Sequence, residues 1–179
     1  MSVIPRTPEE IHVVLLDLAE GLIRSISSWD NTAFIGIRSG GELIARSLVK
    51  LLKDKTGKEV PLGVLDIALY RDDLSRRKFY PEVRSTDIPF AVDGIDIVLV
   101  DDVLHTGRSV RAAIDHIVDL GRPGRIYLLV LFDRGDRELP IQADFVGRKI
   151  ALPDEQVIKL EASSDGQSIA GVVISEVKR

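Results

Sequence analysis

Ile97-Val98-Leu99-Val100-Asp101-Asp102-Val103-Leu104-His105-Thr106-Gly107-Arg108-Ser109-Val110 decides how this chain is read. Four apolar residues run straight into paired carboxylates, then into a short loop of hydroxyl and glycine residues. Beyond it Val110, Ile114, Ile117, Val118 and Leu120 recur at helical spacing. That order predicts a buried strand, an acidic turn, an anion-binding loop and a helix. Backbone N–H groups of residues 104–109, aided by the Thr106 and Ser109 hydroxyls, are placed to hold a phosphate at the helix N-terminus. Carboxylates beside a phosphate repel it, so Asp101 and Asp102 need another target. Sugar hydroxyls, or a Mg²⁺ ion bound with them, fit best. A phosphate loop next to acids that hold a sugar describes a ribose 5-phosphate site. A nucleotide P-loop fits poorly, because no Gly-x-x-x-x-Gly-Lys-Ser/Thr occurs in the chain.

Working outward, the pattern alternates strand and helix. Thr7-Pro8-Glu9-Glu10 supplies an N-cap, a proline at the first helical position and a glutamate three residues after the cap. Ile11, Val14, Leu15, Leu18 and Leu22 then form one apolar helical face. Thr32 to Ile37 reads as a strand, Gly41 to Leu52 as a helix, and Val60 to Tyr70 as a strand despite Pro61. Residues 71–89 are polar and charged without a sustained period, as in a functional lid or an excursion. Strand signals return near Asp96 to Asp101 and over Arg125 to Phe132. Between them Gly121-Arg122-Pro123-Gly124 stops the helix that ends at Leu120. Phe145, Val157 to Leu160 and Ala170 to Val177 suggest short final strands. The expectation is one α/β domain over residues 1–179 with a mostly parallel sheet. Ligands of such sheets sit beyond the carboxyl ends of the strands, where the paired acids lie.

Composition narrows the chemistry. The chain has 179 residues, 45% hydrophobic and 29% charged, enough for a sizeable core. No run of 18 apolar residues suggests a membrane span, and residues 1–6 lack the apolar core of a signal peptide, so a cytoplasmic location is expected by default. Zero cysteines exclude disulfides, thiolate catalysis and Cys-ligated zinc. His12, His105 and His116 have no metal-ligand spacing. A net charge of −4 and a pI of about 5.4 weigh against a general nucleic-acid binder, though not against a local basic patch.

The segment Val98 to Val110 resembles the phosphoribosyl pyrophosphate (PRPP) signature of the type I phosphoribosyltransferases. Gly36-Ile37-Arg38-Ser39-Gly40-Gly41 resembles the pyrophosphate loop that follows the first core strand of that superfamily. Asp66 to Leu74, Gly121-Arg122-Pro123 and the run from Asp133-Arg134-Gly135 through Ala143-Asp144 narrow the likeness. They are similar to the bifunctional pyrimidine operon regulator and uracil phosphoribosyltransferase family, PyrR, over roughly residues 8 to 160.

The resemblance implies a mostly parallel central sheet flanked by helices, with a flexible loop and a small hood. It implies conversion of uracil and PRPP to UMP and pyrophosphate with Mg²⁺. It also implies binding of pyrimidine-operon mRNA, with UMP or UTP as co-regulator, and a dimer or tetramer. Carried onto this chain, Asp101, Asp102 and His105 are the candidate catalytic residues. Val98, Leu99, Val100, Asp101, Asp102, Val103, Leu104, His105, Thr106, Gly107, Arg108, Ser109 and Val110 bind PRPP. Arg38, Ser39, Gly40, Gly41 and Arg71 meet pyrophosphate. Asp133, Arg134 and Val157 meet the base, and Asp101 and Asp102 meet the metal indirectly, through PRPP.

The chain departs from the family at several places. Ser39-Gly40-Gly41 stands where Thr-Arg-Gly is common, leaving Arg38 as the local cation. His105 replaces a tyrosine and Asp136 a histidine. An imidazole with a pKa near ~6.5 suits proton transfer, but a tyrosine counterpart favours packing beside the base. On the RNA face, Leu16-Asp17-Leu18-Ala19-Glu20 and Gln142 replace basic stretches. Carboxylates repel RNA phosphates, so weak RNA binding is expected, with residual contacts from Arg137, Arg148 or Lys149. Three readings follow: a uracil phosphoribosyltransferase, an RNA-binding regulator, and a phosphoribosyltransferase without RNA regulation or acting on a purine.

Overall fold

The structure is a computed structural model and describes residues 4–70 and 85–176. Arg71 and most of the expected flexible loop lie outside the described residues. Chain order is α1 (Pro8–Ser25), β1 (Thr32–Ile37), α2 (Gly40–Thr56), β2 (Leu62–Leu65), β3 (Asp96–Leu104), α3 (Arg108–Leu120), β4 (Arg125–Asp133), β5 (Phe145–Lys149), β6 (Gln156–Ala162) and β7 (Ile169–Glu176).

Five strands form a parallel sheet in the order β2-β1-β3-β4-β5, and β6 pairs with β7 as a separate antiparallel hairpin. Alternate side chains of each central strand go to opposite faces, which divides the core. Phe34, Val98, Val100, Leu129 and Leu131 pack with α1 and α2. Ala33, Ile35, Ile97, Leu99 and Val130 pack with α3. Both faces are covered, so β1 and β3 read as nearly continuous apolar runs. The hairpin is the small hood: Ile158 and Val172 join the α1–α2 side of the core, and the Val172 N–H donates to Arg6 O at 3.0 Å.

Local chemistry accounts for the element ends. At α1, the Glu10 N–H donates to the Thr7 hydroxyl at 3.2 Å, while the Glu10 carboxylate accepts from the Thr7 N–H at 3.1 Å. This reciprocal cap is the one read from the sequence. The α2 helix runs longer than expected, to Thr56, and stops at Gly57 with φ 71°.

Two expectations are corrected. The strand expected over Val60 to Tyr70 is only Leu62–Leu65. Asp66 then turns the chain by accepting from the Ala68 N–H at 2.8 Å, and the Tyr70 N–H donates to Ile67 O at 2.9 Å. The paired acids lie within β3 rather than in a turn after it, because parallel pairing with β4 continues to Leu104 opposite Asp133.

Candidate active site

Strand order places the site. From β1 the chain crosses through α2 to β2 on one side, and from β3 through α3 to β4 on the other. The crevice between the carboxyl ends of β1 and β3 is therefore a topological switch point, where open α/β sheets bind ligands. Residues 38–41 follow β1 there, and the end of β3 from Asp101 to Leu104 runs into residues 105–109 there, so two segments distant in sequence become neighbours.

Their contact is tight enough to demand glycine. A Cβ on Gly40 would sit 2.8 Å from Asp102 Cβ and closer still to its carboxylate. A Cβ on Gly41 would overlap the Val100 carbonyl oxygen and lie 3.0 Å from Asp101 Cα. The start of α2 thus rests flush on the acidic end of β3. The Arg38–Ser39 peptide bond is cis, and the Arg38 N–H donates to Leu65 O at 3.0 Å. The Arg38 guanidinium donates through Nη2 to Ser85 O at 2.9 Å, while its buried Nε has no hydrogen-bond partner among the described residues.

The acids differ in environment. Asp101 is buried, and its Oδ1 accepts from the Asp102 N–H at 3.0 Å. Asp102 is partly buried and accepts from the Val103 N–H at 2.9 Å. Loss of hydration pushes the Asp102 carboxyl up from its ordinary range. Hydrogen bonding with Asp101 and with the Val103 and Leu160 backbones pulls it back part of the way. Leu160 belongs to β6, so the hood reaches the acidic pair.

After β3, Gly107 caps α3 with φ 91°, a left-handed conformation natural to glycine. The Arg108 N–H reaches the Thr106 hydroxyl only at 3.4 Å, near the limit of a hydrogen bond. The hydroxyl keeps capacity for another partner. His105 is partly buried, and burial followed by the Arg134 charge lowers its pKa, against the opposing influence of Asp136, Asp154 and Glu138. It is therefore a neutral imidazole at pH 7.

Of the residues expected at the base, Asp133 ends β4, Arg134 begins the loop after it and Val157 lies on β6; the Asp133 and Arg134 side chains are engaged by the protein. Arg134 is buried and donates to Gln156 O at 2.9 Å and Pro153 O at 3.1 Å, which ties the sheet to the start of β6. Asp133 Oδ1 accepts from the Gly135 N–H at 3.0 Å and from Arg137 Nη2 at 2.7 Å. Val157 follows Gln156 on β6, so the Arg134–Gln156 hydrogen bond brings its strand to the end of β4.

Arg137, expected as a residual RNA contact, donates to five acceptors within the protein. Its place in the densely charged run after β4 marked a charge cluster but gave no sign of that role. A groove of about 1210 Å³ lies elsewhere, between α1, α2 and the hairpin turn, lined by residues such as Val13, Val49, Leu51 and Ile169. It contains none of the expected site residues, and the carboxylates and loops above define the chemistry better than that concavity.

The comparisons agree with this geometry. Residues 9–164 match the phosphoribosyl transferase domain family. The chain is 47% identical over 159 residues to a bifunctional protein PyrR of Thermus thermophilus, covering 88% of each protein. It is 45% identical over 162 residues to the bifunctional protein PyrR of Deinococcus radiodurans, covering 90% of this chain and 88% of that one. Among solved structures, a hypoxanthine-guanine phosphoribosyltransferase of Bacillus anthracis superposes with TM-score 0.69 at 17% identity, over 99% of this chain and 100% of that one. The hypoxanthine phosphoribosyltransferase of Trypanosoma cruzi gives TM-score 0.68 at 18% identity, over 97% and 95%. At such identity these structures establish the shared fold and not the base. With a strand-end acidic pair, a glycine-packed companion loop and close relatives along nearly the whole chain, this protein belongs to the PyrR family of type I phosphoribosyltransferases.

Proposed function

We propose that this chain is a single phosphoribosyltransferase domain that converts uracil and PRPP to UMP and pyrophosphate. The observation that carries the reading is the junction of residues 38–41 with Asp101, Asp102 and residues 104–109 at the switch point. Displacement at the ribose C1 develops positive charge on the sugar, so the enzyme needs fixed negative charge nearby rather than a nucleophile. Asp101 and Asp102 hold the ribose hydroxyls and favour that charge. Residues 104–109 fix the 5′-phosphate, and Arg38, Ser39, Gly40 and Gly41 receive the pyrophosphate. Arg71, assigned to the same group, lies outside the described residues. Asp133, Arg134 and Val157 meet the base. Neutral His105 packs beside the base and can accept a proton there.

Two adjacent carboxylates are hard oxygen donors that suit Mg²⁺, and no group of three His, Cys, Asp or Glu among the described residues forms a metal cage. A metal held by Asp101 and Asp102 through PRPP oxygens fits that donor set. When bound, it supplies charge neutralisation for the leaving pyrophosphate.

An assay of PRPP and Mg²⁺ with each free base, read as pyrophosphate release, tests the reading. Turnover with uracil is expected. Turnover with hypoxanthine or guanine and none with uracil would move the chain to the purine reading. Thr106→Val should weaken PRPP and UMP alike by about 1–3 kcal/mol, because both carry the 5′-phosphate and one hydroxyl is lost. Calorimetric titrations in which only pyrophosphate weakened would take Thr106 out of the phosphate loop.

The regulatory activity of the family is assigned here with weak RNA affinity. Asp17 pairs with Arg148 at 3.0 Å, and Glu20 with Lys55 at 3.4 Å. Exposed pairs of this kind add only about 0–1 kcal/mol of stability, but they cancel cations that phosphates would otherwise meet. Salt titration of binding to a pyrimidine-leader RNA, with and without UMP, should show a shallow slope, each missing contact lowering it by roughly 0.7–0.9. Tight, UMP-stimulated binding with a steep slope would place RNA recognition on another surface. Homo-oligomer formation and cytoplasmic residence complete the proposal. Among the described residues, no helix is long and apolar enough to cross a membrane.

A further inference from the structure

A loop that binds an anion through backbone N–H groups must turn its carbonyls elsewhere, and buried carbonyls need donors. Here the segment after β4 supplies them. Leu104 O accepts from the Arg134 N–H at 2.9 Å and from Arg137 Nη1 at 3.2 Å. His105 O accepts from Arg137 Nη1 at 2.8 Å. Thr106 O accepts from the Glu138 and Leu139 N–H groups at 3.0 and 3.2 Å. Three successive carbonyls are therefore all drawn toward residues 134–139.

Arg137 also donates to Gly135 O at 2.9 Å, to Ile141 O through Nε at 2.9 Å and to Asp133 Oδ1 at 2.7 Å. One guanidinium thus joins the end of β3 to both ends of its own loop. Lysine has three donors on a single nitrogen and cannot span such a set. Its charge is balanced by Asp133, so its contribution is directional rather than a bare positive field.

We propose that Arg137 is the positioning residue of the 5′-phosphate loop, holding the Leu104 and His105 carbonyls away from the ligand so that the N–H groups following them stay aimed at the phosphate. The inference rests on the reading of residues 104–109 as that loop. It assigns Arg137 no contact with substrate.

The test uses the full chain and three probes: UMP, ribose 5-phosphate and inorganic pyrophosphate. Arg137→Gln removes most donors and leaves carbonyls unmatched, so affinity for UMP and ribose 5-phosphate should fall about 10- to 100-fold. Pyrophosphate, held by residues 38–41, should keep its affinity within about twofold. If Arg137→Gln does not fold, Arg137→Lys takes its place, with a smaller loss expected in the same two ligands. Unchanged affinity for all three probes would overturn the proposal. So would an equal loss for all three, which describes a general prop of the fold rather than a support for one loop. Thr106→Val separates the premises. If Thr106→Val spares UMP, the assignment of the phosphate loop fails; if it weakens UMP while the Arg137 variant does not, only the role of Arg137 fails.

Discussion

Asp102→Asn is expected to lower phosphoribosyl transfer by about 100-fold or more while the protein stays folded. Removing one fixed group that stabilises developing charge costs about that much in other enzymes. The amide keeps the oxygen that accepts from the Val103 N–H but carries no charge. Stability should move the other way. Burial raises the Asp102 pKa in the folded protein, so between the unfolded pKa, about 4, and the raised folded value the native state holds the extra proton. Parent stability from this group therefore falls as pH rises through that window. The asparagine variant escapes the loss. Its Tm should match the parent below about pH 4 and equal or exceed it at pH 7. Steady-state kinetics and thermal melts across pH check both halves. Full activity with normal PRPP affinity would remove Asp102 from the site.

Gly41→Ala should be the most damaging single methyl in the chain's described core. Gly41 lies in the first turn of α2, where alanine would ordinarily gain about 1 kcal/mol of helix propensity. Against that gain stands a backbone collision: the new Cβ overlaps the Val100 carbonyl oxygen, which cannot rotate aside as a side chain can. Separating α2 from β3 is expected to cost more than about 3 kcal/mol. At this chain length that lowers Tm by roughly 6–12 °C. PRPP affinity should fall with it, because the same movement parts the pyrophosphate loop from the acidic pair. A variant with parental Tm would show that the interface relaxes more easily than its geometry indicates. Gly40→Ala acts on Asp102 instead, so its main effect should be on turnover.

The sequence by itself determined the α/β class, the capping box at Thr7 and the strand–loop–helix around Asp101. Each depends on residues close in the chain: alternation of burial, a cap and its partner three residues on, glycine at a helix end. The strand near Asp66 is shorter than its apolar content suggests because a side chain-to-backbone turn competes with the ladder, and apolar content alone does not register that competition. The relation between Gly41 and Val100, and between Arg137 and Leu104, had no local signature. Fifty-nine and thirty-three positions separate those pairs, and only the β2-β1-β3-β4-β5 order brings them together. Tertiary structure also decided what charge was for. Asp133, Arg134 and Arg137 read alike as charged residues at a strand end, yet backbone carbonyls engage the two arginines and Arg137 engages the aspartate. A buried polar group is costly until it is paired, and the pairing partner is set by packing rather than by neighbouring residues.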